Sequence, residues 1–109
     1  EKFAREKLLN FLSYRERSAA ECKNYLRHLP LDDEFVKKLL KQAKEHNFIN
    51  DERFAEMYVE NLMGKGKNRR ESQNKLFEKH IEKSIIDNVL NEYFSPEKKE
   101  EILERNVQK

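Results

Sequence analysis

The chain has 109 residues, of which 37% are hydrophobic and 40% are charged, with two Gly, two Pro and no Trp. This composition favours helices and supplies too little apolar surface to wrap any helix completely, so each element must share its apolar face with neighbours. The formal net charge of +2 excludes nucleic-acid binding through total charge alone, and any such binding must come from local clusters of cations.

The cysteine count and the hydropathy indicate the compartment in which the protein works. A single Cys excludes an internal disulfide framework, and no apolar run is long enough to span a bilayer. We therefore expect a cytoplasmic protein without membrane contact. Because the sequence begins at Glu1 inside a helical pattern, we also expect it to be a fragment of a longer chain.

The first part of the chain predicts three short helices. Ser18-Ala19-Ala20-Glu21 has the pattern of a capping box, which begins a second helix at residue 19. Pro30 ends that helix, and Asp32 or Asp33 begins a third. Each helix carries one apolar stripe: Ala4, Leu8, Leu9, Phe11 and Leu12 in the first, Cys22, Tyr25, Leu26 and Leu29 in the second, and Phe35, Val36, Leu39, Leu40 and Ala43 in the third.

The same pattern starts again at residue 50. Asn50 and Asp51 are predicted to cap a fourth helix, Gly64 to end it, and Asn68 with Glu71 to form a second capping box. A shift of 50 residues aligns like residues of the two parts: Leu12 with Leu62, Glu21 with Glu71, Leu26 with Leu76, and Leu40 with Leu90. The sequence is therefore an internal repeat of a three-helix unit.

These boundaries predict the domain organisation. Residues 1–49 form a first three-helix repeat and residues 50–94 a second. Ser95-Pro96 begins the first helix of a truncated third repeat, residues 95–109, whose apolar residues are Ile102, Leu103 and Val107. Because repeat units stack on their neighbours, the predicted fold is all-α, an elongated right- or left-turning array of helix-turn-helix-like units.

Three segments resemble, in order and spacing, the repeat signatures of the RecX family: LSYRERSAAE at 12–21, FINDERFAEMYV at 48–59 and GKGKNRR at 64–70. RecX proteins regulate the bacterial recombinase RecA. The resemblance implies a regulatory protein that binds the RecA–DNA filament, limits its assembly or activity, and needs no cofactor. The family often has Gly between its second and third helices, where this chain has residues 28–31 and 78–81, so the geometry of those turns is expected to differ.

Cations follow the first helix of each unit. The 50-residue shift aligns an Arg pair with a Lys pair, so two loops repeat one chemistry that could follow a phosphate backbone. Arg69 and Arg70 lie at a helix start, where the helix dipole disfavours cations, and folding alone does not account for them. The candidate residues for binding the filament or nucleic acid are Arg15, Arg17, Lys65, Lys67, Arg69 and Arg70.

The sequence contains no arrangement of residues that predicts catalysis. His28, His46 and His80 lie far apart without a carboxylate or Cys at metal-ligand spacing, and Cys22 falls on an apolar stripe. The acidic pairs Asp32-Asp33 and Asp51-Glu52 lie in predicted first turns, where capping explains them. We therefore expect a protein that is not an enzyme and holds no metal.

Two other surfaces are weaker candidates. Tyr14 is expected to be exposed beside the Arg15 loop, but most other rings fall on apolar stripes, so base stacking is not the main mode. The residues of the second unit that align with the exposed side of the third helix include Asp87, Asn88 and Asn91, which are not basic. We therefore interpret the cations of that side mainly as promoting solubility: Lys37, Lys38, Lys41 and Lys44.

Two alternatives to filament binding remain open. The cation-rich segment after Gly64 could be only a solvated connection. Alternatively, the chain could be a helix-turn-helix-like module that binds duplex DNA directly through its third or fifth helix. The fifth helix would offer Arg69, Arg70, Gln73 and Asn74. Because sequence readers usually dimerise and no heptad seam is present, we favour a monomer that binds single-stranded or duplex DNA more weakly than it binds the filament.

Overall fold

The computed structural model describes residues 2–98 and residue 100, and every regular element in this range is an α-helix, which confirms the all-α prediction. Residues 96–98 and 100 are again helical, whereas Ile102, Leu103 and Val107 of the predicted third repeat lie outside the described residues. The chain divides after Asp51 into two compact units. The helices are α1 Lys2–Tyr14, α2 Ala19–Arg27, α3 Asp33–Glu45, α4 Asp51–Gly64, α5 Arg69–Glu78 and α6 Lys83–Tyr93.

The first unit packs α2 against both α1 and α3 around one apolar core. Phe11 and Tyr25 stack within it, with ring centroids 4.2 Å apart. Leu9 is an exception to the predicted stripe, because 47% of its surface remains exposed. The buried residues of this core are Ala4, Leu8, Cys22, Leu26, Val36, Leu39, Leu40, Ala43 and Ile49.

The second unit builds its core at the aligned positions. Leu26 and Leu76 are both completely buried, and Val36 and Leu40 have buried counterparts in Ile86 and Leu90. Helix α5 packs on α6, as α2 packs on α3 in the first unit. The three-helix repeat that the sequence predicts is therefore present in both units.

The two capping boxes fix the starts of α2 and α5 as predicted. The Glu21 amide donates to Ser18 Oγ at 3.1 Å, and the Ser18 amide donates to Glu21 Oε1 at 3.0 Å. In the second unit the Glu71 amide donates to Asn68 Oδ1 at 2.8 Å, and the Asn68 amide to Glu71 Oε1 at 3.2 Å. Each box pairs two amides that the helix itself leaves without a partner.

The acidic pairs agree with the prediction in part, since Asp33 lies in the first turn of α3. Asp32 is the N-cap of α3, but its side chain accepts no capping hydrogen bond. Asp51, the last residue of the first unit, is the first residue of α4, and its Oδ1 accepts from the Ala19 amide at 2.8 Å. Ala19 is the first residue of α2, so this carboxylate satisfies a free amide at the start of α2 and lies at the positive end of its dipole.

Helix α4 ends at Gly64 as predicted, but the left-handed residue of its cap lies two positions further on. Gly64 is the last residue of the helix, and the left-handed residue that ends it is Gly66, with φ of +82°. This conformation lets the Gly66 amide donate to Met63 O at 2.9 Å and the Lys67 amide to Leu62 O at 3.0 Å. The pair of bonds is a Schellman motif, which satisfies carbonyls at the helix end.

Helices α3 and α5 end in the same motif without glycine. Asn47 and His80 adopt φ of 61° and 59°, respectively. In the second case the His80 amide donates to Phe77 O at 3.0 Å and the Ile81 amide to Leu76 O at 3.3 Å. The turn between α5 and α6 therefore keeps a left-handed geometry even though this chain has no Gly there.

We predict that Gly66→Ala and His80→Gly change stability in opposite directions. A Cβ at Gly66 would meet no atom within 4 Å, so its effect is the left-handed backbone strain alone, a loss of about 1 kcal/mol in the free energy of unfolding. His80→Gly removes the same strain but adds entropy to the unfolded chain, so its gain is smaller. Urea denaturation measures both, and an unchanged Gly66→Ala midpoint would contradict the motif.

Cys22 and Ser72 occupy aligned positions and are both completely buried. Burial raises the pKa of the Cys22 thiol to about 12, with a smaller contribution from the Glu21 carboxylate, so the thiol stays neutral and unreactive at neutral pH. Ser72 Oγ has no hydrogen-bond partner among the described residues. A buried hydroxyl without a partner destabilises the fold, whereas a thiol behaves there as a small apolar group.

We therefore expect Ser72→Ala to raise the free energy of unfolding by about 1 kcal/mol, because it removes an unsatisfied buried hydroxyl. The matched change Cys22→Ser places a hydroxyl at the aligned position and should lower it. Thermal and urea unfolding of both variants measure the difference. A destabilised Ser72→Ala variant would show that the hydroxyl has a partner or that its packing matters more.

Candidate nucleic-acid interface

The second candidate loop, residues 65–70, is here called the basic loop. It joins the Schellman motif of α4 to the capping box of α5, so ordered hydrogen bonds hold it at both ends. Lys65 is the first residue after α4, where the negative end of the helix dipole favours a cation. The loop is therefore a short and defined turn, and the two caps fix the backbone from which its cations extend.

Arg69 is explained by folding, contrary to the sequence-based interpretation. Its Nη1 donates to Leu90 O at 3.2 Å, and its Nη2 donates to Asn91 Oδ1 at 2.7 Å. Both acceptors lie near the carboxyl end of α6, which favours a cation. Arg69 therefore joins the start of α5 to the end of α6, and that gain offsets its unfavourable place in the first turn of α5.

Lys67 also has a partner within the unit. Its Nζ lies 3.7 Å from Glu71 Oε2, an exposed pair four residues apart. The basic loop was predicted to lack a balancing acid, but Glu71 supplies one just beyond its end. An exposed pair of this kind is weak and can be displaced by a phosphate.

The first candidate loop holds both of its arginines against the protein. Arg15 Nη2 lies 2.7 Å from Glu21 Oε2, and Nη1 donates to Glu16 O at 2.6 Å. Arg17 Nε donates to Phe11 O at 3.2 Å, and its guanidinium carbon lies 4.0 Å from the centre of the Phe11 ring. The two loops therefore share a position in the repeat but present different surfaces, and Arg17 serves mainly to end α1.

Lys65 and Arg70 are the candidates that remain available. Both are exposed, and neither forms a hydrogen bond or ion pair with another described residue. Arg70 is the second residue of α5, where the helix dipole disfavours a cation, and no ion pair with a described carboxylate compensates it. These two side chains can reach an external anion without first breaking an internal contact.

Sequence reasoning missed Asn91 and the helix end beside it as the acceptor of Arg69. The two residues are 22 positions apart, so no local motif could reveal the contact.

Tyr14 is 82% exposed, as expected, beside the Arg15 loop. His28 and His46 are the C-cap residues of α2 and α3.

Residues 2–98 and 100 contain neither a cluster of metal ligands nor a membrane-spanning helix. No three side chains of His, Cys, Asp or Glu gather there as metal ligands would. None of the described helices is long and apolar enough to cross a bilayer. The exposed cations of the basic loop therefore remain the strongest candidate site in this part of the chain.

We predict that Arg69→Ala lowers the free energy of unfolding by about 1 kcal/mol, because it breaks two charge-assisted hydrogen bonds at a partly exposed helix end. The neighbouring change Arg70→Ala removes the same side chain without a partner and should stay within about 0.5 kcal/mol of the parent. Urea denaturation of the two variants provides the comparison. Equal losses would contradict the contact between Arg69 and α6.

Comparison with known proteins identifies close relatives. The family profile described as RecX, second three-helix domain, matches residues 50–90. The regulatory protein RecX of Oceanobacillus iheyensis is 34% identical over 95 residues, which are 86% of this chain and 35% of the relative. That of Listeria innocua is 37% identical over 90 residues, or 82% of this chain and 34% of the relative.

A solved structure shows the same fold. The crystal structure of RecX from Lactobacillus salivarius superposes with a TM-score of 0.81 at 25% identity, over 93% of this chain and 66% of that protein. The chain thus spans about a third of the length of the curated relatives described above. The sequence signatures, the repeated three-helix units and these matches together show that the chain belongs to the RecX family.

Proposed function

We propose that this chain is the part of a cytoplasmic regulator that binds the RecA–DNA filament and limits its assembly or activity. Family membership supports a regulatory role. The basic loop provides a binding surface within the second unit, with Lys65 and Arg70 as its main contacts. Lys67 and Arg15 contribute after their exposed ion pairs open, and Arg69 and Arg17 hold the loops in place.

One observation carries this proposal: two exposed cations without partners among the described residues lie on either side of a turn that both flanking helices cap, Lys65 directly after α4 and Arg70 in the first turn of α5. A capped turn loses little conformational freedom on binding, so more of the contact energy appears as affinity. The nearby positive charges would attract the phosphates of the filament's DNA and raise the association rate at low salt. Neither effect requires a cofactor or a catalytic group, and the proposed regulator is a monomer that acts by binding.

The helix-turn-helix alternative is less well supported. Direct duplex readout by α5 would use Arg69, Arg70, Gln73 and Asn74, and of these Arg69 is bound to the end of α6. Gln73 is only partly exposed. A reading face needs several free side chains that reach base edges together, and α5 retains too few.

We predict that Lys65→Glu with Arg70→Glu strongly weakens association with the RecA–DNA filament. Reversing two exposed charges without partners leaves the helices intact but repels phosphates, so affinity should fall at least about tenfold at low salt. Neutralising both residues to Ala should weaken binding less and reduce the log–log salt slope by about 2. Fluorescence anisotropy with preassembled filament measures affinity and slope, and circular dichroism checks the fold.

The matched control is Lys23→Glu with Lys83→Glu, which makes the same change in net charge at exposed positions on α2 and α6. It should change affinity much less. Equal losses from the two pairs would mean that net charge, rather than the basic loop, governs binding. A titration of the RecA ATPase on single-stranded DNA tests the regulatory role itself, and an unchanged ATPase at saturating bound protein would reject it.

A further inference from the structure

Helix α3 carries a strongly basic surface outside the basic loop. Its buried side consists of Val36, Leu39, Leu40 and Ala43. Its opposite side carries four exposed cations within an arc of ~120° at the helical spacing of 3.6 residues per turn. This surface is here called the lysine face, and its residues are Lys37, Lys38, Lys41 and Lys44.

Several other cations of the first unit have internal contacts, unlike the members of the lysine face. Arg5 hydrogen-bonds to Gln42, Lys7 lies over the Phe3 ring, and Arg15 pairs with Glu21. No hydrogen bond or ion pair links any member of the lysine face to another described residue. Like charges three and four residues apart repel along a helix, so folding gains nothing from gathering them there.

Carboxylates bound this surface at both ends. Glu34 and Glu45 lie on the same side of α3, one before the first lysine and one after the last, and both are exposed. Either could pair with a lysine four residues away, yet no such pair forms. The acids therefore limit the basic surface to about two helical turns without neutralising its centre.

The geometry favours a linear polyanion over a lipid surface. Seven residues separate Lys37 from Lys44, a rise of about 10 Å along the axis, over which one strand of duplex DNA presents about three phosphates. A helix that binds lipid inserts its apolar side, but that side of α3 is committed to the core of the first unit. The lysine face can therefore make electrostatic contacts with regularly spaced phosphates and cannot insert into a bilayer.

We propose that the lysine face of α3 is a second binding surface, which contacts the phosphodiester backbone of nucleic acid independently of the basic loop and of any recombinase. The aligned surface of the second unit carries Asp87, Asn88 and Asn91, so this contact belongs to the first unit alone. Sequence pattern alone favoured a role in solubility; the absence of internal partners for all four lysines points to an external anion.

The test is the fourfold Lys→Gln variant of the lysine face, measured in the whole chain against bare nucleic acid. Its control is Lys→Gln at four exposed lysines elsewhere: Lys2, Lys7, Lys75 and Lys83. Both variants change the net charge equally. Fluorescence anisotropy with a labelled single strand and a duplex of the same sequence, without recombinase, gives Kd across a salt series, and circular dichroism checks helix content.

The lysine-face variant should lose at least about tenfold in affinity at low salt, and its log–log slope on duplex should fall by about 3, whereas the control should lose about threefold or less. Equal losses in the two variants, or an unchanged salt slope in the lysine-face variant, would overturn the proposal. Because recombinase is absent from this measurement, its result is separate from that of the filament test on Lys65 and Arg70.

Discussion

The left-handed turn at Gly66 is the constraint on which the candidate site depends. With φ of +82°, this residue ends α4 and returns the Lys67 amide to Leu62 O at 3.0 Å. The capping box of Asn68 then begins α5 at once. Only a short turn lies between the two helices, so the backbone itself determines where the cations of the basic loop lie.

In each unit, one Glu carboxylate both completes the capping box at the start of a helix and pairs with a cation of the preceding loop. Glu21 completes the capping box of α2 and holds Arg15 at 2.7 Å. Glu71 completes the box of α5 and lies 3.7 Å from Lys67. Each unit therefore balances part of the charge of its own loop, and the loop cations left for a ligand are those that form no hydrogen bond or ion pair with a described residue. In the second unit these are Lys65 and Arg70.

Local sequence patterns predicted most of the fold, because periodic stripes and caps act over a few residues. The 50-residue repeat, both capping boxes and the burial of Leu26 and Leu76 follow from such patterns. The site was less predictable. The role of Arg69 depends on an acceptor 22 residues away, and which of Gly64 and Gly66 takes the left-handed conformation after α4 depends on backbone angles. Charge counts alone treated the six candidate cations as equivalent. The structure separates those that contact other residues of the protein from those that are available to a ligand.

The central claim is that the outward cations of the basic loop contact the RecA–DNA filament. Site-specific photo-crosslinking tests it most directly, with a photoreactive amino acid placed at position 65 in one sample and at position 83, the exposed start of α6, in another. We expect crosslinks to the DNA or recombinase of the filament from position 65, with little yield from position 83. Equal yields, or a higher yield from position 83, would contradict the account.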